Sequence, residues 1–147
     1  MNLAGTEYTL SMQSFDIYIS GCRRKCFNCF NTEAQDFSFG APLIFKELIK
    51  KIEDNIILIK QIRIMGGDLL EQNETEAILF SNELSEWLKN KNIKLVLYTG
   101  ARKEHIPLWC FYVFNGIKYG PYVDSLKQTS SLYGSSNQKF ITKGDDY

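Results

Sequence analysis

Residues 15–31 read FDIYISGCRRKCFNCFN. The first six, FDIYIS, read as a β-strand that delivers the chain into a loop of three cysteines, Cys22, Cys26 and Cys29. Gly21 permits a tight exit from that strand.

Downstream, Phe45, Leu48, Ile49 and Ile52 recur at helical spacing, which predicts a helix over 42–53 with Pro42 in its first turn. The β-branched run 56–65 (IILIKQIRIM) predicts a strand broken by Gly66 and Gly67. A second helix is expected over 74–89, with Phe80, Leu84, Trp87 and Leu88 on one face. Residues 93–98 (IKLVLY) and 110–114 (CFYVF) read as further strands. Alternation of strand and helix is the grammar of right-handed βαβ units, so an α/β fold with a parallel sheet of about four strands or slightly more is expected. Sites in such sheets lie at the carboxyl ends of the strands. The cysteine loop, the Gly66-Gly67-Asp68 turn and the Thr99-Gly100 turn each follow an expected strand and so land on one edge.

The chain has 147 residues, 44% hydrophobic and 14% aromatic, a composition suited to one globular domain spanning 1–147. From about residue 125 it turns polar. Seventeen basic residues balance seventeen acidic ones, so there is no broad footprint for nucleic acid or a membrane surface. No apolar run reaches the roughly 20 residues that cross a bilayer, and the first residues lack a secretory pattern. The expected compartment is the cytoplasm, where thiols stay reduced and available to metals.

Three of the four cysteines are spaced Cys-x3-Cys-x2-Cys. Thiolates suit iron–sulfur clusters and zinc. A structural zinc site and a saturated [4Fe-4S] cluster each want four protein ligands. Only three are close here, which suggests an exogenous fourth ligand. Arg23, Arg24 and Lys25 would lower the thiol pKa values and offset cluster charge. Two alternatives stand beside this reading: a zinc site completed by Cys110 or His105, and three metal-free thiols.

The Cys-x3-Cys-x2-Cys loop after a strand resembles the signature of the radical S-adenosylmethionine (SAM) superfamily. Four ordered blocks extend the likeness: ISGCRRKCFNCFN, MGGDLL, LYTG, and the stretch from GPYVDSLK to GSSNQKFI. Together they resemble the activating proteins of the anaerobic (class III) ribonucleoside-triphosphate reductases. The sequence departs from that pattern in its N-terminal stretch LAGTEYTLSMQ, in Leu69 where a proline is usual, and in Phe30 where a tyrosine is usual.

The resemblance implies a partial, open βα barrel of radical SAM type. It implies that Cys22, Cys26 and Cys29 each ligate one iron of a [4Fe-4S] cluster, with SAM on the fourth. Asn28, Cys29 and Phe30 would then lie along the SAM adenosine, Gly66, Gly67 and Asp68 at its methionine end, and Thr99 on the far side of the pocket. The implied activity is glycyl-radical activation: SAM is cleaved to a 5′-deoxyadenosyl radical that abstracts hydrogen from a glycine. The implied partners are the large subunit of the anaerobic reductase and a low-potential donor such as flavodoxin or ferredoxin. A related activase for another glycyl-radical enzyme, or a non-enzymatic zinc or iron–sulfur module, would carry much of the same pattern.

Overall fold

In the computed structural model, which describes residues 1–128 and 134–147, seven strands form a single mixed sheet. In chain order they are β1 (Asn2–Thr9), β2 (Ser14–Ile19), β3 (Ala41–Pro42), β4 (Gln61–Gly66), β5 (Lys94–Tyr98), β6 (Gly116–Tyr119) and β7 (Lys139–Thr142). The sheet order is β3-β1-β2-β4-β5-β6-β7. Strands β2, β4, β5 and β6 run parallel, whereas β1 and β3 on one side and β7 on the other are antiparallel to their neighbours.

This architecture corrects the expected open βα barrel of about four parallel strands. The chain extends the sheet in both directions with antiparallel strands. β1 turns directly into β2, with Gln13 in the left-handed region (φ 48°) at the reversal. The polar C-terminal segment returns as β7 beside β6. Residues 129–133, part of that segment, lie outside the described residues.

Three helices, α1 (Phe45–Asp54), α2 (Glu74–Trp87) and α3 (Leu108–Val113), contribute to one apolar cluster. Strand alternation decides which sheet face they cover. Phe15, Ile17 and Ile19 of β2, Ile62 and Ile64 of β4, and Leu95 and Leu97 of β5 all join Leu48, Ile52, Phe80 and Leu84 in that cluster. Burying each such side chain contributes roughly 1.5–3 kcal/mol. α2 starts where Asn73 accepts from the Glu76 backbone N–H at 3.1 Å, an ordinary N-cap.

The intervening positions face the other way and mix apolar Met65 and Val96 with polar groups. Asp16 of β2 and Arg63 of β4 are register partners, both fully buried. Arg63 Nε and Nη2 donate to the two Asp16 carboxylate oxygens at 2.7 and 2.6 Å. Thr9 and Ser14 hydroxyls donate to the same oxygens, and Arg63 Nη1 donates to the Tyr98 hydroxyl at 3.3 Å.

Three local expectations are also corrected. Residues 110–114 are not a strand: they belong largely to α3, and the strand is Gly116–Tyr119. Cys110 and Phe114 are fully buried four residues apart while Leu108 and Tyr112 are exposed, the period of a helix. Strand β4 starts at Gln61, because Ile56–Leu58 form a short 3-10 turn with Ile57 exposed. Pro42 lies on β3 instead of in a helical turn, an edge position where its missing N–H is tolerated. No helix among the described residues is long and apolar enough to cross a membrane.

Candidate functional site

One pocket at the carboxyl ends of β2, β4 and β5 is lined by Cys22, Cys26, Cys29, Phe30, Gly66, Gly67, Asp68 and Thr99. The three strand-end loops therefore meet, and Asp68 is where they are tied. Its carboxylate, almost fully buried, accepts from the Leu70 and Gly100 backbone N–H groups at 3.0 and 2.9 Å. It also accepts from the Thr99 hydroxyl at 2.9 Å and from Arg24 Nε at 3.1 Å. One side chain thus binds the cysteine loop, its own turn and the turn after β5.

The Gly66-Gly67 turn packs against the cysteine loop through backbone. Gly67 N–H donates to Ile19 O at 2.7 Å and Asp68 N–H to Gly21 O at 3.0 Å. Gly66 has φ +105°, a conformation L side chains rarely adopt. A Cβ on Gly67 would lie 2.5 Å from Gly21 O and 2.6 Å from Ala34 O. The Gln72 side-chain amide closes the same corner by donating to Ser20 O and Gly21 O.

The cysteine loop winds back on itself. Lys25 and Asn28 both have positive φ, 49° and 53°, and Cys29 N–H donates to Cys26 O at 3.1 Å. Asn is one of the few side-chain-bearing residues that accepts this conformation readily. The Asn28 amide donates to Asp124 at 3.1 Å, and Asn28 is not among the residues that line the pocket. Tyr122 also donates to Asp124, at 2.8 Å, and its ring lies 5.0 Å from that of Phe30. Hydrogen bonds from Tyr122 and Asn28 hold the Asp124 carboxyl below the usual carboxylate range.

The C-terminal segment is folded against this edge too. Ser135 is buried and donates to Asn137, while Gln138 donates to Gly120 O at 2.9 Å. Gly134 and Gln138 reach the pocket itself.

All three clustered thiols are half-buried. Burial pushes the Cys22 thiol up to about 11; the Arg24 backbone N–H pulls down and the Asp68 charge pushes further up. Iron binding would displace that proton. Cys110 sits in the apolar core with its thiol pushed up to about 12 by burial, and His105 is exposed; neither lines the pocket. Neither is placed as a fourth ligand for zinc.

The donor set fits a cluster better than a single ion. Among the described residues, no three His, Cys, Asp or Glu side chains converge closely enough to hold one metal ion. A [4Fe-4S] cluster asks for something different, since each thiolate binds its own iron and the sulfurs stay apart. Arg24 also lines the pocket, with its guanidinium already paired to Asp68 at 3.1 Å and Glu71 at 3.6 Å.

Arg24, named in the sequence as a cation of the cysteine loop, lines the pocket, and so do Met65, Tyr98, Lys118 and Tyr122, which the sequence reading did not single out. Burial lowers the Lys118 pKa, and Arg63 lowers it further. A usable signal existed: Arg63 and Lys118 interrupt otherwise apolar strands, and charged residues are rarely buried without a task or a partner.

Neither a curated protein nor a solved structure gave a significant match to the chain. A family model described as "4Fe-4S single cluster domain", a radical-SAM-associated iron–sulfur domain, matches residues 13–141, from the turn before β2 to the last strand. The matched span holds the three-thiol pocket and every loop tied to it, and the chain belongs to the family of 4Fe-4S single cluster domains.

Proposed function

We propose that the protein is a radical SAM enzyme that activates a glycyl-radical partner. The observation that carries this reading is the pocket in which three thiols, with no further cysteine and no histidine among the described lining residues, meet the Gly66-Gly67-Asp68 and Thr99-Gly100 turns. Three thiolates leave one iron of a [4Fe-4S] cluster open, and SAM is the molecule whose amino and carboxylate groups would complete it.

When bound and reduced, the cluster would supply the one electron that cleaves the C5′–S bond of SAM, so that methionine leaves and hydrogen is taken from the target glycine. The chain's own work is positional. Cys22, Cys26 and Cys29 hold the cluster. Gly66 and Gly67 let the backbone come close to the methionine end of SAM, and Asp68 fixes that turn against Arg24 and Thr99. Phe30, Met65 and Tyr98 wall the pocket and keep water from the reacting bond. No acid–base dyad is required by this chemistry.

The proposed target is a glycine of the anaerobic ribonucleoside-triphosphate reductase, with a flavodoxin or ferredoxin as electron donor. The ordered sequence blocks support that target over other glycyl-radical enzymes. The test is anaerobic reconstitution with iron and sulfide, reduction, and addition of SAM. 5′-Deoxyadenosine and methionine are expected in equal amounts. A glycyl-radical EPR doublet on added anaerobic reductase would support the partner. Tetrahedral zinc binding with no SAM cleavage would overturn the enzyme reading.

A further inference from the structure

Beside the thiol pocket lies a larger groove of about 610 Å³ that shares Phe30 and Asn31 with it. Its floor is β1. Four consecutive β1 residues, 4–7, line it together with Tyr18 of β2. Successive strand side chains point to opposite faces, so four in a row line one groove because the irregularity between Leu3 and Gly5 breaks the alternation and main-chain atoms contribute.

That edge is open. β3 pairs with β1 only at Asn2 and Leu3, and the β1–β2 register shifts between Leu3 and Gly5. From Gly5 to Thr9, β1 pairs on one side with β2 and, among the described residues, has no strand on the other. Gly5 has no side chain, and a Cβ there would meet nothing within 4 Å, so the groove above this sheet face is open. Of the devices that commonly protect such strands the edge has the bulge between Leu3 and Gly5 and the charge of Glu7, and neither a lysine nor a proline. The opposite wall is formed by residues 30–34 and Phe39, and Glu7 and Glu33 give the groove an acidic lining with no Lys or Arg among its lining residues.

We infer that this groove takes an extended polypeptide segment of the substrate protein, laid along β1 as an added strand and leading into the thiol pocket past Phe30. The inference rests on the activase reading for the occupant's source and names its form: an extended backbone with basic residues beside the glycine. Main-chain pairing along an exposed strand edge binds extended peptides without demanding a particular side chain. Continuity with the thiol pocket puts one end of such a segment where a radical would form. The acidic walls favour lysine or arginine flanks over acidic ones.

The test adds a synthetic peptide centred on the radical-bearing glycine of the anaerobic reductase to the reconstituted chain. Amide hydrogen exchange is followed at β1. Slower exchange is expected within residues 5–9, and N-methylation of the peptide at alternate positions should weaken binding about tenfold by removing ladder bonds. Absence of binding, binding without protection of β1, equal affinity of the N-methylated peptide, or protection of β1 by SAM alone would each overturn the inference. SAM cleavage is assayed in the same sample without peptide. Cleavage without β1 protection removes the groove proposal and leaves the enzyme reading; β1 protection without cleavage removes the enzyme reading and leaves a peptide groove.

Discussion

Arg24 Nε lies 3.1 Å from Asp68 Oδ2, which fastens the cysteine loop to the turn after β4 through a partly buried ion pair. Asp68 is almost fully buried and has three further donors, so its charge has no water to fall back on. Asp68→Asn keeps the shape but turns an NH2 group toward a backbone N–H. The expected cost is roughly 2–4 kcal/mol, read from urea unfolding of the cluster-free chain. Arg24→Met should cost less, since Arg24 is partly exposed and its loss leaves Asp68 with three donors. If Asp68→Asn unfolds at the same urea midpoint as the parent, Asp68 does not tie the loops together.

The thiol pocket separates the cysteines into two kinds. Cys22→Ala, Cys26→Ala and Cys29→Ala should each abolish retention of a [4Fe-4S] cluster, measured as iron and sulfide per chain after anaerobic reconstitution. Cys110→Ala should keep the full iron content and lose about 1–2 kcal/mol of stability, because it leaves a small void in a packed core. His105→Ala should change neither. Loss of metal on substituting Cys110 or His105 would bring a zinc site back.

How much of this could be read in advance follows from the physics of each segment. The buried central strands announce themselves: β2, β4 and β5 lie inside the sheet, β5 as a near-continuous apolar run and β2 and β4 as β-branched, apolar stretches interrupted by Asp16 and Arg63. The turns that follow them carry cysteines or glycines, so their meeting at one edge was legible too. β1 was not, because most of its residues are half-buried on both faces and it shows no alternation to read. Short strands such as β7, Lys139–Thr142, owe their place to pairing with β6 and not to their own pattern. At 110–114 the aromatic residues suggest a strand, yet the burial of Cys110 and Phe114 obeys helical spacing. Lys118 escaped notice as a pocket residue because it comes from a strand far along the chain from the cysteines, whereas Arg24 was legible from its place inside the cysteine loop.

Beneath the pocket, Asp16 and Arg63 form a doubly hydrogen-bonded pair with both side chains fully excluded from water. Removing one partner strands the other charge in the sheet. Arg63→Met should destabilise the chain by about 3–5 kcal/mol, and Asp16→Asn by somewhat less, since Thr9 and Ser14 can rotate their hydroxyls. The double variant Asp16→Leu with Arg63→Met should regain much of the loss. A double-mutant cycle by denaturant unfolding checks this; strictly additive losses would show that the two groups are not coupled.

Asn28 performs two tasks that substitution can separate. Its backbone occupies the left-handed region beside Cys29, and its amide holds Asp124 of the C-terminal segment. Asn28→Gly keeps the first and loses the second. Asn28→Ala loses both, adding about 1–2 kcal/mol of backbone strain within the loop. In the reconstituted chain, iron should therefore pass to a chelator fastest from Asn28→Ala, more slowly from Asn28→Gly, and most slowly from the parent. Equal rates for the two variants would mean that the turn conformation has no part in holding the thiols. A parent rate in Asn28→Gly would instead show that the Asp124 contact does not steady the loop.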